Sequence, residues 1–137
     1  MSWRRIALAS ILGAGVCTTA FAAPASDAGE SALHERAMDD GTRLTRASLC
    51  GYVDPELERL NEILRVAAEA RFRAAGREFD QSAYDAGFYA GMQRAMSQLL
   101  QLPSEQVEDM QRYRATHCAQ VRSEIDALLA GTAPATP

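Results

Sequence analysis

The sequence predicts an all-α fold: a small bundle of three main helices and one short N-terminal helix, held by one disulfide. Apolar residues recur every three or four positions along three long segments, which is typical of helices that bury one face. No stretch alternates polar and apolar residues over a useful length, and no Asn-Gly hairpin turn occurs. Two cysteines, Cys50 and Cys118, remain once the N-terminal segment is set aside.

Residues 1–22 are predicted to be a secretory signal peptide that is removed from the mature protein. Arg4 and Arg5 supply the positive start, and an apolar run from Ile6 to Ala20 follows them. The tripeptide Ala20-Phe21-Ala22 then has the small-residue pattern of a cleavage site. We therefore expect an exported protein, periplasmic or secreted.

The sequence leaves alternatives open for this segment. Cleavage after Ala23 instead of Ala22 would place Pro24 directly after the broken bond, which is less favourable. An uncleaved membrane anchor would suit a longer apolar run without glycines. A lipoprotein anchored through Cys17 would not suit the valine that precedes this cysteine.

The net charge of the remaining chain limits the classes of partner that it can bind. Removal of residues 1–22 takes two arginines and no acidic residue, so the formal net charge changes from −4 to −6. An acidic chain is a poor match for nucleic acid or an anionic membrane surface. We expect a protein partner, no nucleic acid, no membrane span after cleavage, and a single domain.

Cys50 and Cys118 are predicted to form a disulfide, because an exported chain with an even number of cysteines commonly pairs them. The chain-entropy estimate for so long a loop is at most about 4 kcal/mol of stability. The alternatives are two free thiols, or a metal site that adds His117. The metal site lacks a fourth ligand, so we expect no metal.

Residues 23–41 are predicted to be a flexible arm, because they are rich in polar and small residues. The run Asp39-Asp40-Gly41 is expected to interrupt any helix there. A short helix should then cover Thr42 to Tyr52, opening a bundle domain over residues 42–130. Residues 131–137 are predicted to be a disordered tail.

The second helix is predicted to run from Pro55 to Ala75, with Asp54 as its cap and Gly76 ending it. Its expected buried stripe consists of Leu57, Leu60, Leu64, Ala67 or Ala68, and Phe72, with Ile63 at the edge. A fourth helix should begin at Ser104 and end before Gly131. Its apolar face consists of Val107, Met110, Cys118, Val121, Ile125 and Leu128.

The third helix, within Ser82 to Leu102, is the segment around which the bundle is expected to form, capped by Asp80 or Ser82. A row of small residues, Gly87, Gly91 and Ala95, follows one side of it. Two glycines within a helix cost about 1 kcal/mol each, so their surface should serve a purpose. The row either packs against the second or fourth helix, or forms a surface notch that binds a partner. The notch would be formed by Tyr84, Gly87, Phe88, Tyr89 and Gly91.

The sequence contains no evident catalytic set. His117 is the one histidine of the predicted ordered domain, and the adjacent Cys118 should point elsewhere on the helix. No redox Cys-x-x-C pair, haem-attachment motif or phosphate loop occurs, so we expect no cofactor.

Size, export and acidity favour a non-catalytic protein-binding module, in the narrower form an inhibitor or immunity protein against an envelope-acting effector. The alternative is a periplasmic chaperone or a secretion or assembly factor. A small enzyme that uses His117 is a third hypothesis.

Overall fold

The computed structural model describes residues 25–101 and 107–131, with side chains from 27 to 101 and from 114 to 131. Four helices follow one another: α1 (Ala25–Leu49), α2 (Asp54–Ala74), α3 (Gln81–Leu100) and α4 (Val107–Leu129). The described residues contain no strand, so the all-α prediction is confirmed. Within these ranges no helix has both the length and the hydropathy of a membrane span.

Several predictions concern residues outside the described ranges. They are the signal peptide over residues 1–22, the start of the fourth helix at Ser104, and residues 132–137 of the predicted tail. The side chains of Val107 and Met110 also fall outside.

The start of α1 corrects the prediction of a flexible arm over residues 23–41. One helix runs from Ala25 to Leu49 and passes through Gly41 without interruption. Asp40 is only 1% exposed and Gly41 is buried as well, so two of the three residues of the supposed helix-breaking run lie inside the fold. The reason is tertiary packing, which overrides weak local helix propensity.

The contact between α1 and α3 is the most extensive in the fold. A Cβ atom placed on Gly41 would lie 1.9 Å from the Phe88 carbonyl oxygen, and one placed on Gly91 would lie 1.9 Å from that of Met38. The two backbones are therefore in contact, which only glycine permits. Gly87 lies against His34, and Gly41 approaches Met92. Glu30 near the start of α1 pairs with Arg77 just ahead of α3, so the two helices run in the same direction.

The glycine row of α3 is thus internal packing, and the alternative of a surface notch is wrong. The helix that covers the row is α1, not the second or fourth helix. That neighbour could not be anticipated while residues 23–41 were expected to be flexible.

Two apolar clusters complete the interior. The cluster near the disulfide contains Ala47, Cys50, Leu60, Leu64, Val121, Ile125 and Leu128. The second cluster, between α1, α2 and α3, contains Ala37, Ala68, Tyr84 and Phe88. The predicted stripe of α2 is confirmed at Leu60, Leu64, Ala68 and Phe72, which are buried.

The observed helix ends agree in part with the ends predicted from the sequence. Gly76 follows α2 with a φ of 70°, the left-handed conformation expected of a C-terminal glycine. Asp80 caps α3 by accepting a hydrogen bond from the Ala83 amide at 3.0 Å. Asp54 is not the cap of α2: the residue before the helix is Val53, whose amide donates to Glu56 at 3.1 Å.

The predicted disulfide is confirmed, with the Cys50 and Cys118 sulfur atoms 2.11 Å apart and the Cα atoms 5.3 Å apart. It ties the residue that follows α1 to the middle of α4. Arg122 donates to the Cys50 carbonyl oxygen at 3.0 Å, and Tyr52 donates to the Asp126 carboxylate at 2.6 Å. Polar contacts on both sides therefore hold the same junction.

Gly91→Ala should lower the free energy of unfolding by about 2 kcal/mol or more, because the new methyl group would overlap the Met38 carbonyl and force the helices apart. Urea unfolding followed by circular dichroism measures the change. The matched control is Gly29→Ala in α1, where a Cβ would meet nothing within 4 Å. It should stabilise the protein by up to about 1 kcal/mol. If Gly91→Ala left the free energy of unfolding unchanged, the close contact between the helices would be contradicted.

Reduction of Cys50–Cys118 should lower the free energy of unfolding by about 2–4 kcal/mol, because the open chain regains conformational freedom in the unfolded state. Urea unfolding with and without a reductant measures the difference. A Cys50→Ala, Cys118→Ala variant should be insensitive to the reductant. Equal stability in both conditions would show that the bond contributes nothing.

Candidate functional site

The structure separates the five residues of the predicted partner site. Tyr84 and Phe88 are 4% and 8% exposed, and Gly87 and Gly91 are also buried. These four residues face the interior of the fold, so they cannot bind a partner on the surface. Tyr89 alone lies outside, with 61% of its surface exposed.

Tyr89 shares the side of α3 away from α1 with two other exposed apolar residues and with the exposed Gln93. Met96 and Leu100 follow it at steps of seven and four residues, which place all three within about 40° of the helix circumference. Met96 is 46% exposed and Leu100 is 83% exposed. We call Tyr89, Met96 and Leu100 the α3 outer face. Grouped exposed apolar residues are typical of interaction surfaces, whereas single ones need no explanation.

A buried charged cluster lies on the opposite side of α3. Asp40 of α1 forms an ion pair with Arg71 of α2, and its carboxylate also lies 3.5 Å from the Arg43 guanidinium. The Tyr84 hydroxyl of α3 donates to Asp40 across 3.5 Å. Three helices thus meet at one carboxylate.

The cluster is electrostatically costly, and its polar groups are satisfied. Burial raises the pKa of the Asp40 carboxyl above its ordinary value, while the adjacent Arg71 guanidinium opposes the shift. Burial also raises the pKa of Tyr84, with a further contribution from Asp40. No buried side-chain nitrogen or oxygen of the described residues lacks a hydrogen-bond partner. The cluster therefore holds helices together and directs no free polar atom toward a ligand.

The sequence did not reveal this cluster, because Asp40 was assigned to the flexible arm. One signal was available. Ala37 and Gly41 lie four residues apart, the same spacing as Gly87 and Gly91, and matched rows of small residues indicate two helices in close contact. Such a match would have placed Asp40 next to the interface.

His117 is half-buried on α4, next to the disulfide. Because Cys118 is oxidised, it cannot act as a nucleophile beside His117. In the part of the chain that the structure describes, no group of three His, Cys, Asp or Glu side chains could hold a metal ion.

Comparison with known proteins adds no assignment: the chain matches no protein family, no curated protein and no solved structure. Its function is therefore argued from its own surface. The α3 outer face is the surface feature that retains a residue of the predicted partner site.

The stability of the protein should depend on the ionisation of Asp40. Because burial places its folded-state pKa above the ordinary value of 3.8, protonation favours the folded state. This contribution is complete below the unfolded-state pKa and is lost as the pH rises through the folded-state pKa. The unfolding free energy of the wild type minus that of Asp40→Asn should therefore fall as the pH rises above about 4.

Urea unfolding at several pH values between about 4 and 7 measures that difference, and titrations shared by both proteins cancel. Glu78→Gln is the control, because it removes an exposed carboxylate that does not contribute to the shifted pKa of Asp40. It should retain the pH dependence of the wild type. A difference that increases with pH would mean that the Arg71 ion pair outweighs burial.

Proposed function

We propose that the protein is an exported, non-catalytic protein-binding module whose partner docks on the α3 outer face. The observation that carries the proposal is the exposure of Tyr89, Met96 and Leu100 on one strip of one helix. Export is proposed from the predicted signal segment, and the disulfide is compatible with an oxidising compartment.

The composition of this face suits a protein partner. Tyrosine is common among the residues that contribute most to interfaces, since it combines a large apolar ring with a polar hydroxyl group. Each Å² of apolar surface that binding removes from water contributes about 25 cal/mol of favourable free energy. Leu100, at 83% exposure, has the largest exposed fraction of the three to remove from water.

The rest of α3 supports this role by holding the helix rigid. Its other side is in backbone contact with α1 at Gly41 and Gly91. A surface on a rigid element loses less conformational freedom when it binds, so more of its contact energy appears as affinity. An inhibitor or immunity protein against an envelope-acting effector is the narrower form of the proposal.

A second candidate, a periplasmic chaperone or assembly factor, is favoured by Met96 in the middle of the face. The thioether side chain is flexible and adapts to differently shaped apolar surfaces, as binding sites for several clients require. The two candidates differ in outcome. An inhibitor should retain one stoichiometric partner, whereas a chaperone should retain many proteins weakly.

Affinity capture from envelope and secreted fractions, compared between variants, tests the proposal. Tyr89→Ala and Leu100→Gln should together weaken retention of the bound protein at least about ten-fold, because each removes an anchor side chain. Their free energy of unfolding should change by less than about 0.5 kcal/mol each, since both side chains are exposed.

The matched control is Val53→Gln, which alters a similarly exposed apolar side chain ahead of α2, 60% exposed. It should leave retention unchanged. If all variants retain the same proteins to the same extent, the α3 outer face is not the binding surface. The amount of each retained protein is measured by quantitative mass spectrometry at about 0.15 M salt, where charges farther apart than about 8 Å are largely screened.

A further inference from the structure

The interior of the protein is divided into two parts, and α4 belongs to only one of them. The cluster near the disulfide combines residues of α1 and α2 with Val121, Ile125 and Leu128 of α4. The second cluster takes its buried residues from α1, α2 and α3 alone. The ion pair of Asp40 with α2 and the backbone contact at Gly91 also join only those three helices. Helices α1–α3 therefore have a core and a polar cluster of their own, and neither requires α4.

The described part of α4 contacts the rest of the fold through one apolar row with a covalent bond at one end. The row follows steps of three, four and three residues along the helix and consists of Cys118, Val121, Ile125 and Leu128. It shares a cluster with Ala47, Leu60 and Leu64, each at most 2% exposed. Departure of α4 would expose these three residues to water, while the second cluster would stay covered.

Side-chain contacts between polar groups add little to the attachment of α4. Arg43 of α1 pairs with Glu124 at 2.8 Å, but the two side chains are 31% and 50% exposed. The hydrogen bond between Tyr52 and Asp126 is exposed as well. Exposed ion pairs contribute little, because water screens the charges and competes for them. A third contact, from Arg122, ends at the backbone of the disulfide junction itself.

We infer that α4 is a redox-controlled helix: reduction of Cys50–Cys118 releases it from α1 and α2, while α1–α3 stay folded. In the oxidised chain the bond fixes one end of the apolar row, so the helix cannot separate from the surface beneath it. In the reduced chain the row has lost this anchor, and α4 opens locally. Cooperative units of a protein commonly open separately in this way. The α3 outer face lies on a helix that stays folded, so the inference does not depend on the proposed function.

The reductant is a dithiol, and Cys118 is the sulfur that it can reach. Cys118 is only partly buried, whereas Cys50 is 5% exposed. A thiolate of the dithiol attacks the Cys118 sulfur, the bond between the two cysteines breaks, and Cys50 leaves as a thiolate that takes up a proton. The second thiol of the dithiol then displaces Cys118 and closes the donor's own disulfide. Two electrons and two protons thus pass to the protein, which ends with two thiols.

The charges around Cys118 favour this reaction. Arg114 and Arg122 lie four residues before and after it, each within about 40° of the same side of α4. No acidic residue occurs in the sequence between Asp109 and Glu124. Positive charge beside a cysteine stabilises its thiolate, which is the form that leaves when the donor's disulfide closes.

Hydrogen exchange of the protein expressed from the full-length chain, measured by mass spectrometry with and without dithiothreitol, tests the inference. After reduction the amides of residues 114–129 should exchange at least about ten-fold faster than before, because α4 can then open locally. Within the reduced chain they should also exchange at least about ten-fold faster than the amides of α3. Equal rates in the two helices would mean that the protein unfolds as one unit, and unchanged rates in α4 would mean that the bond does not hold it. Either result overturns the inference.

A matched pair of buried alanines separates local opening from global unfolding. Ala47 lies in the cluster that α4 completes and is 0% exposed, whereas Ala68 lies in the second cluster and is 1% exposed. In a Cys50→Ala, Cys118→Ala background, Ala47→Cys should react with iodoacetamide at least about ten-fold faster than Ala68→Cys, because release of α4 uncovers only position 47. Equal reaction rates at the two positions would overturn the inference. If either variant fails to fold, the exchange measurement on the unsubstituted chain decides.

Discussion

The structure depends on the backbone contact between α1 and α3. At Gly41 and Gly91 each helix lies so close to a carbonyl oxygen of the other that no side chain fits between them. The contact draws the middle of α1 into the fold and buries Ala37 and Asp40. A segment with few large apolar residues is thus ordered by close approach and not by a conventional apolar stripe, because many weak dispersion contacts add up where packing is dense.

Burial of Asp40 follows from this contact and creates a second requirement. A carboxylate that is 1% exposed needs a partner, since an isolated charge in the interior is strongly unfavourable. Arg71 supplies that partner from α2, and Tyr84 adds a hydroxyl group from α3. Such a cluster is weak support for net stability, because desolvation offsets much of the attraction. It does fix which residues of the three helices lie side by side, since a shifted helix would leave Asp40 buried without its partner.

The parts of the fold that could be predicted are those that local spacing or the number of cysteines determines. The buried stripe of α2 was predicted because Leu60, Leu64, Ala68 and Phe72 repeat at helical spacing, and the disulfide because two cysteines remain for one bond. Asp40 was misassigned, because Asp-Asp-Gly reads locally as the end of a helix and its partner Arg71 lies 31 residues away. Whether the glycine row of α3 faced inward or outward depended on α1, whose packing is not visible in the spacing of α3 alone. Tyr89 was predicted as a surface residue with the wrong neighbours for the same reason.

The same close contact also decides which side of α3 can meet a partner. Because Gly87 and Gly91 face α1, Tyr89, Met96 and Leu100 are left on the opposite side of the helix and exposed. These three side chains are apolar and include one aromatic anchor, so shape and desolvation govern what binds them. The backbone contact holds α3 in place, so little conformational freedom is lost on binding and more of the contact energy appears as affinity.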